Sequence, residues 1–440
     1  MPGPLSYTKT TLDNGLDVIV HEEHACPIVA VNLWYHVGSK DERPGRTGFA
    51  HLFEHLMFEG SEHHDAGYFR PLEEAGGTLN GSTNADRTNY WATVPREAVE
   101  RALWLESDRM GHLLPALSAE KLATQRDVVL NERRQNYENR PYGLAPMTLA
   151  AALFPLPHPY HWPTIGVPAD LHAAALEDVR AFFAAYYHPG NASLAIAGDI
   201  DTDEALALAN RHFGEIATRP PPPPVAIPAG PSPGSDSRPR SLYLEDRVEL
   251  VRIYLTWRTT ALFEAGDAEL DVLADLLAGG LSSRLRRALV HDRRLAADVG
   301  AWQDSREIAG VFAISVTVAP TARAADVEAV VTSELARLAD EGPDPDELAR
   351  VVRCAESAMA SLLERVGGFG GRSDQLNRYN VFAGTPGYLA GDLARYRRVD
   401  RSGVRAAAAR LAAERRIALS VVPLGANDAA LPGAEPADAS

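Results

Sequence analysis

Short apolar runs of strand length alternate with longer amphipathic segments along this chain, and the order of elements occurs twice. Behind an Asn14-Gly15 turn, residues 16–20 (Leu-Asp-Val-Ile-Val) read as a strand, and 28–37 form a second run rich in Val, Ile, Trp and Tyr. β-Branched and aromatic residues favour extended backbone, and Asn-Gly tolerates the positive φ angles of a tight hairpin turn. Helical spacing takes over around 47–58. The second half repeats this order, with strands at 242–244 and 251–257 and a helix around 267–278. The halves also close alike. Val179-Arg180 opens an Ala-rich helix that precedes an apolar strand at 194–198, and Val404-Arg405 opens one that precedes a strand at 419–423. From Val179 to Leu194 and from Val404 to Leu419 the offset is the same 15 residues. The pattern predicts two homologous domains. Helices and strands mix without a regular βαβ alternation, so the expected class is α+β rather than a doubly wound sheet.

Residues 220–224 are all proline, and Pro228, Pro231, Pro233 and Pro239 follow among Gly and Ser. Such a segment is extended and semi-rigid. The expected layout is therefore an N-terminal domain over 1–218, a linker over 219–240, a C-terminal domain over 241–427 and a flexible tail over 428–440. A length of 440 residues agrees, being too great for one ordinary core. The chain has no apolar run of 18 residues to span a membrane, and its first residues lack the basic and apolar regions of a signal peptide. Cys26 and Cys354, one in each half, exclude a disulfide framework and read as buried small hydrophobes. These features predict a cytoplasmic protein. A net charge of −16 argues against nucleic acid as a partner, and is compatible with attraction of cationic peptides or with solubility alone.

Chemistry concentrates at His51-Leu52-Phe53-Glu54-His55. Residues four apart stack on one face of a helix, so His51 and His55 can aim both imidazoles at one ion, a donor pair that suits Zn²⁺. Glu54 lies three after His51, near enough to the same face to act on a water held there. The order H-x-x-E-H is the inverse of H-E-x-x-H and points to a metallopeptidase. With 14 His and 59 Asp+Glu in the chain, chance supplies at most about 0.06 such matches. Phe53, Leu56, Met57 and Phe58 surround the trio, which predicts a largely buried helix whose polar groups need a partner such as a metal. The equivalent helix of the second half has no histidine, so one site per chain is expected.

A catalytic zinc takes three protein ligands and keeps one position open. Glu132, in Val128-Val-Leu-Asn-Glu132-Arg-Arg-Gln-Asn-Tyr137, is the best candidate for the third, although alone it reads as a solvated carboxylate paired with Arg133 or Arg134. Here the chain resembles the M16 peptidases, the family of pitrilysin, insulin-degrading enzyme and mitochondrial processing peptidase. In that family H-x-x-E-H is followed about 75 residues later by a liganding Glu, and from His55 to Glu132 is 77 positions. The resemblance implies His51, His55 and Glu132 as ligands of one zinc and Glu54 as the base that activates water. It also covers Gly76-Gly-Thr-Leu-Asn80-Gly-Ser-Thr-Asn84, a Gly-Gly turn into an edge strand. There the matching Asn80 would contact an extended substrate bound by β-augmentation. The other reading of Asn80 is a turn residue bonded to its own backbone. His158-Pro-Tyr160-His161-Trp-Pro is similar to a family segment too, and reads as a packed loop rather than as further ligands.

In the second half, Gly367-Gly-Phe-Gly-Gly371-Arg372 leads to Tyr379, seven residues on and on the same helical face. Family members use such a pair to hold the substrate carbonyl and steady its oxyanion, and Arg with Tyr O–H suits developing negative charge. An ordinary amphipathic helix would show the same spacing. One position departs from the family: many members carry an acidic residue seven before the third ligand, where this chain has Gln125. That leaves the ligands intact and alters how firmly Glu132 is oriented.

The resemblance spans nearly the whole chain. It implies two homologous M16-type domains, each a mostly antiparallel sheet packed with helices, forming half of a clamshell that a second chain completes. The implied function is a zinc-dependent endopeptidase cutting unfolded or extended peptides in a dimeric chamber, as a homodimer or with a paralogous subunit. A dedicated leader- or precursor-processing peptidase and a non-catalytic scaffold subunit are the alternatives.

Overall fold

A computed structural model describes residues 5–227 and 240–437. The chain forms two compact units, each built on a six-stranded sheet. The first sheet contains β1 (Thr8–Thr11), β2 (Asp17–Glu22), β3 (Ile28–Tyr35), β4 (Thr78–Thr83), β5 (Thr88–Pro95) and β6 (Ala192–Gly198), in the order β1-β2-β6-β3-β5-β4. The second contains β7 (Arg240–Asp246), β8 (Arg252–Thr259), β9 (Ala296–Asp304), β10 (Gly310–Val318), β11 (Ile417–Pro423) and β12 (Glu435–Pro436), in the order β12-β7-β11-β8-β10-β9. Stripped of β1 and β12, the two orders are the same. In both, the first strand pairs in parallel with the last long one, β2 with β6 and β7 with β11, and the other shared neighbours are antiparallel. The doubled sequence pattern thus folds into two copies of one mostly antiparallel α+β topology.

The units are not uninterrupted halves of the chain. The first comprises 1–131, 162–226 and 358–391, and the second 132–161, 227–357 and 392–440. The division at 218/241 therefore needs redrawing at two segments. Helix Ala145–Leu153 lays Ala145 and Leu149 against Leu242, Tyr254 and Leu419 of the second sheet. Helix Arg372–Ala383 packs Leu376 against Ile19 and Ala195 of the first. Apolar burial, not sequence proximity, decides where each belongs.

Strand alternation gives the first sheet two dissimilar faces. On one, Tyr35 and Tyr90 meet Phe53, Phe58, Phe183 and Tyr187 in an aromatic core. On the other, Asn32, Trp34 and Asn89 turn towards the Arg372–Ala383 helix. In the second unit, Trp257, Phe312, Leu273 and Leu277 lie in a core with at most 1% exposure.

Two expectations are corrected. Cys26 and Cys354 are exposed, because one lies in the turn between β2 and β3 and the other on the outer face of helix Pro345–Leu362. The tail is not free over its described part: β12 pairs in parallel with β7, the Ala437 amide donates to the Tyr243 carbonyl at 2.8 Å, and Leu431 is buried. This covers an edge that β7 would otherwise leave open. Of the expected linker, 219–227 run without helix or strand, and 228–239 lie outside the described residues. Among the described residues no helix is long and apolar enough to cross a membrane.

Candidate metal centre

The H-x-x-E-H stretch occupies helix Phe49–Leu56, with Phe53 and Leu56 buried beneath and His51, Glu54 and His55 half-buried. Both ends of this short helix are held by side-chain hydrogen bonds. At its start, the Glu42 carboxylate accepts from the Gly48 and Ala50 amides at 2.9 and 2.8 Å, which satisfies donors that a helix N-terminus leaves open. Burial pushes that carboxyl well above the usual carboxylate range, and the two amides oppose the shift. Gly48 precedes the helix at φ +83, and a Cβ there would lie 2.8 Å from the Gly166 backbone, so the position requires glycine. At the other end, Arg109 donates towards the Met57 carbonyl at 3.4 Å while lying over the Tyr68 and Tyr90 rings and pairing with buried Glu106. Acceptor oxygens at the N-terminus and the Arg109 guanidinium at the C-terminus both complement the helix dipole.

Glu132 stands on the last turn of helix Ala119–Arg133, a continuous helix whose residues up to Asn131 belong to the first unit. It brings its carboxylate to the two imidazoles: one donor atom each from His51, His55 and Glu132 lie within 4.8 Å of one another. The His51 and His55 rings meet edge to face, with centroids 4.8 Å apart and planes at 77°, so they converge rather than stack. Two nitrogens and one carboxylate oxygen match the donor chemistry of a catalytic zinc. Arg133 Nε donates to Glu138 at 2.9 Å, and Asn136 donates to Glu132 at 3.3 Å. Gln125 donates to Glu59 at 2.7 Å, tying the Glu132 helix to the segment just beyond His55.

Glu54 accepts a 2.7 Å hydrogen bond from the Thr83 hydroxyl. Thr83 closes β4, the edge strand of the sheet, so the carboxylate lies beside an exposed strand edge. Asn80 is on β4 and exposed, and its Oδ1 accepts from the Gly81 amide at 2.8 Å. Its side chain is thus engaged with its own backbone, with the amide Nδ2 as the donor to offer.

Arg372 and Tyr379 are brought to the first sheet, on the face opposite the histidine helix. Arg372 donates through Nε to the Leu363 carbonyl at 2.6 Å and lies 3.5 Å from Glu23, and Tyr379 is buried beside Tyr388. His158 is buried, its Nδ1 accepting from the Tyr160 amide, as a packed loop requires.

A family model described as Insulinase (Peptidase family M16) matches residues 17–158, and another described as Peptidase M16 inactive domain matches 174–353. A zinc protease of Mycobacterium leprae, itself uncharacterized, is 32% identical over 336 residues, covering 76% of this chain and 74% of that protein. The chain belongs to peptidase family M16. Another relative, the zinc protease PqqE of Helicobacter pylori, is 29% identical over 334 residues, 76% of this chain and 74% of that protein. A crystal structure of a protease from Helicobacter pylori superposes with a TM-score of 0.85 at 25% identity, covering 95% of this chain and all of that one. The M16 inactive domain of Pseudomonas fluorescens shares the fold, with a TM-score of 0.82 at 20% identity over 95% of this chain and 98% of that one. The M16 assignment supports a peptidase-type function. That the domain model over 174–353 is described as inactive accords with the histidine-free helix Asp267–Ala278.

Residues that pattern reading did not single out hold the histidine helix and its surroundings in shape: Glu42, Thr83, Arg109 and, for the Arg372 helix, Asp374. Thr83, Arg109 and Asp374 act through contacts distant in sequence, whereas Glu42 caps amides only six and eight residues on. Only Glu42 carried a local signal, an acidic residue shortly before a helix start.

Proposed function

We propose that this chain is a zinc-dependent endopeptidase that cleaves peptides bound in extended form, with His51, His55 and Glu132 as ligands of one zinc and Glu54 as the general base. The observation that carries the proposal is the convergence of the three donors beside a carboxylate that is itself hydrogen-bonded to an edge strand. When bound, zinc supplies Lewis acidity and lowers the pKa of water to near neutrality. The rest falls to the protein. The free edge of β4 offers backbone donors and acceptors to an extended peptide, which gives affinity with little sequence selectivity. Asn80 adds a side-chain amide to that edge. Glu54 takes the proton from the attacking water and delivers it to the leaving amine, with Thr83 holding one carboxylate oxygen in place.

Arg372 and Tyr379 are suited to steadying an oxyanion, but in their own chain the sheet stands between them and Glu54. Their service to a neighbouring copy is the reading we favour, which makes the active species a dimer of this chain or of this chain with a paralogue. Digestion of a peptide library with and without a chelator, alongside metal analysis and native mass, tests the whole. Glu54→Gln should keep zinc and lose about 10²–10⁴-fold in turnover. Full activity in that variant refutes the assignment. Mixing Glu54→Gln chains with Arg372→Ala chains should restore activity if the pair acts between copies. No restoration returns Arg372 to a structural role.

A further inference from the structure

Beyond the histidine helix, residues 61–64 run alongside helix Val99–Ala116, and a second group of donors meets there. Glu62, His63 and His112 each offer one metal-binding atom, all within 4.8 Å of one another. We propose that these three residues form a peripheral site for a divalent cation of the zinc class, separate from the His51/His55 centre.

The donor set is nitrogen-rich, which favours zinc, copper or nickel over magnesium or calcium. The two rings adopt the arrangement of the first pair: centroids 4.5 Å apart with planes at 72°, against 4.8 Å and 77° for His51 and His55. His63 is oriented from behind. Its Nδ1 hydrogen-bonds Asp108 Oδ1 at 2.6 Å, Asp108 is only 4% exposed, and the other Asp108 oxygen accepts from the Ser61 hydroxyl. A buried carboxylate that occupies one imidazole nitrogen fixes the tautomer and leaves Nε2 to face outward as a ligand, an arrangement typical of histidines that bind metal.

His112 is delivered by a break in its helix. Its backbone departs to φ −132, ψ 23, which frees its carbonyl to accept from the Glu62 amide at 3.0 Å and brings its Nδ1 to 3.2 Å from Glu62 Oε2. Loop and helix are therefore already joined at the residues that supply the donors. All three ligands are exposed, so an ion enters without desolvating a buried carboxylate, and the three-ligand set leaves a position for water. Occupancy ties the 61–64 segment to the helix and stabilises the fold by mass action.

The test uses the full chain, stripped of metal and titrated with zinc alone against a chromophoric chelator. The wild type should take up two saturable equivalents. His63→Ala with His112→Ala should lose one and keep the other, and His51→Ala with His55→Ala should do the reverse, so failure of this site and failure of the proposed catalytic site are distinguishable. Asp108→Asn keeps all three ligands and should weaken the peripheral equivalent about 10–100-fold. Metal-free thermal unfolding shows whether each variant folds, and the exposed His63 and His112 side chains make their pair the decisive one. Uptake by the His63/His112 variant equal to that of the wild type overturns the proposal.

Discussion

Asp374→Ala tests the claim that a segment from late in the chain is an integral part of the first unit. Asp374 Oδ1 accepts from Trp34 Nε1 at 2.9 Å, Asn89 Nδ2 at 3.1 Å and Asn32 Nδ2 at 3.4 Å, and Oδ2 accepts from the Gly370 amide at 2.8 Å. The residue is 8% exposed, so water does not replace the lost acceptor easily. Three of the contacts are short. At about 1–1.5 kcal/mol net for each, and little for the long one, their loss comes to roughly 3–4.5 kcal/mol. Relief of the carboxylate's own desolvation offsets part of this, so about 2–3 kcal/mol is the expected net destabilisation. That corresponds to roughly 30–150-fold greater opening of the Arg372–Ala383 helix. Hydrogen exchange of amides 372–383 reads this directly, and buried Trp34 reports the same event by its emission in a denaturant titration. Asp374→Asn, which keeps one acceptor oxygen but presents a donor to Gly370 N–H, should fall between wild type and Ala. A change below about 0.5 kcal/mol with unaltered exchange in that helix would refute the reasoning.

Thr83→Val removes the 2.7 Å hydrogen bond to Glu54 and should lower kcat about tenfold with KM little changed, worth about 1.4 kcal/mol, and Thr83→Ser should restore it; equal losses in Val and Ser would sink the positioning role. Glu42→Ala leaves the Gly48 and Ala50 amides uncapped and should cost about 1–2 kcal/mol together with weaker zinc retention, measured by thermal unfolding with and without metal. Acid should destabilise the protein through His158, whose pKa burial lowers from 6.5 to about 4. The unfolded chain binds the extra proton between those values, so stability is full above pH 6.5, falls as pH drops through the interval and levels off below about 4. Burial lowers the His188 pKa as well, adding in the same direction. His158→Asn should flatten this part of the profile in urea titrations, and an unchanged slope contradicts the assignment.

Local pattern carried the doubled element order, the approximate strands and helices, the H-x-x-E-H turn and its histidine-free counterpart. Periodicity and i,i+4 spacing are properties of a few consecutive residues, so they survive without a tertiary structure. Phe49–Leu56 lies inside the helix expected at 47–58, and Ile417–Pro423 contains the strand expected at 419–423. Glu132 was legible only through family resemblance, since nothing within its own helix distinguishes it from a solvated carboxylate. The exposure of Cys26 and Cys354 and the docking of β12 on β7 were not legible, because both depend on which surface the remaining chain leaves uncovered.

What the tertiary structure alone decided is partnership at long range. It joins His51 and His55 to Glu132, sets Thr83 on Glu54, and commits Arg372–Ala383 to the sheet of the opposite half of the sequence, on the face away from the histidines. Sequence by itself determined which side chains could do the chemistry. Burial of apolar area and the satisfaction of buried polar groups, which act across any separation along the chain, determined which of them meet.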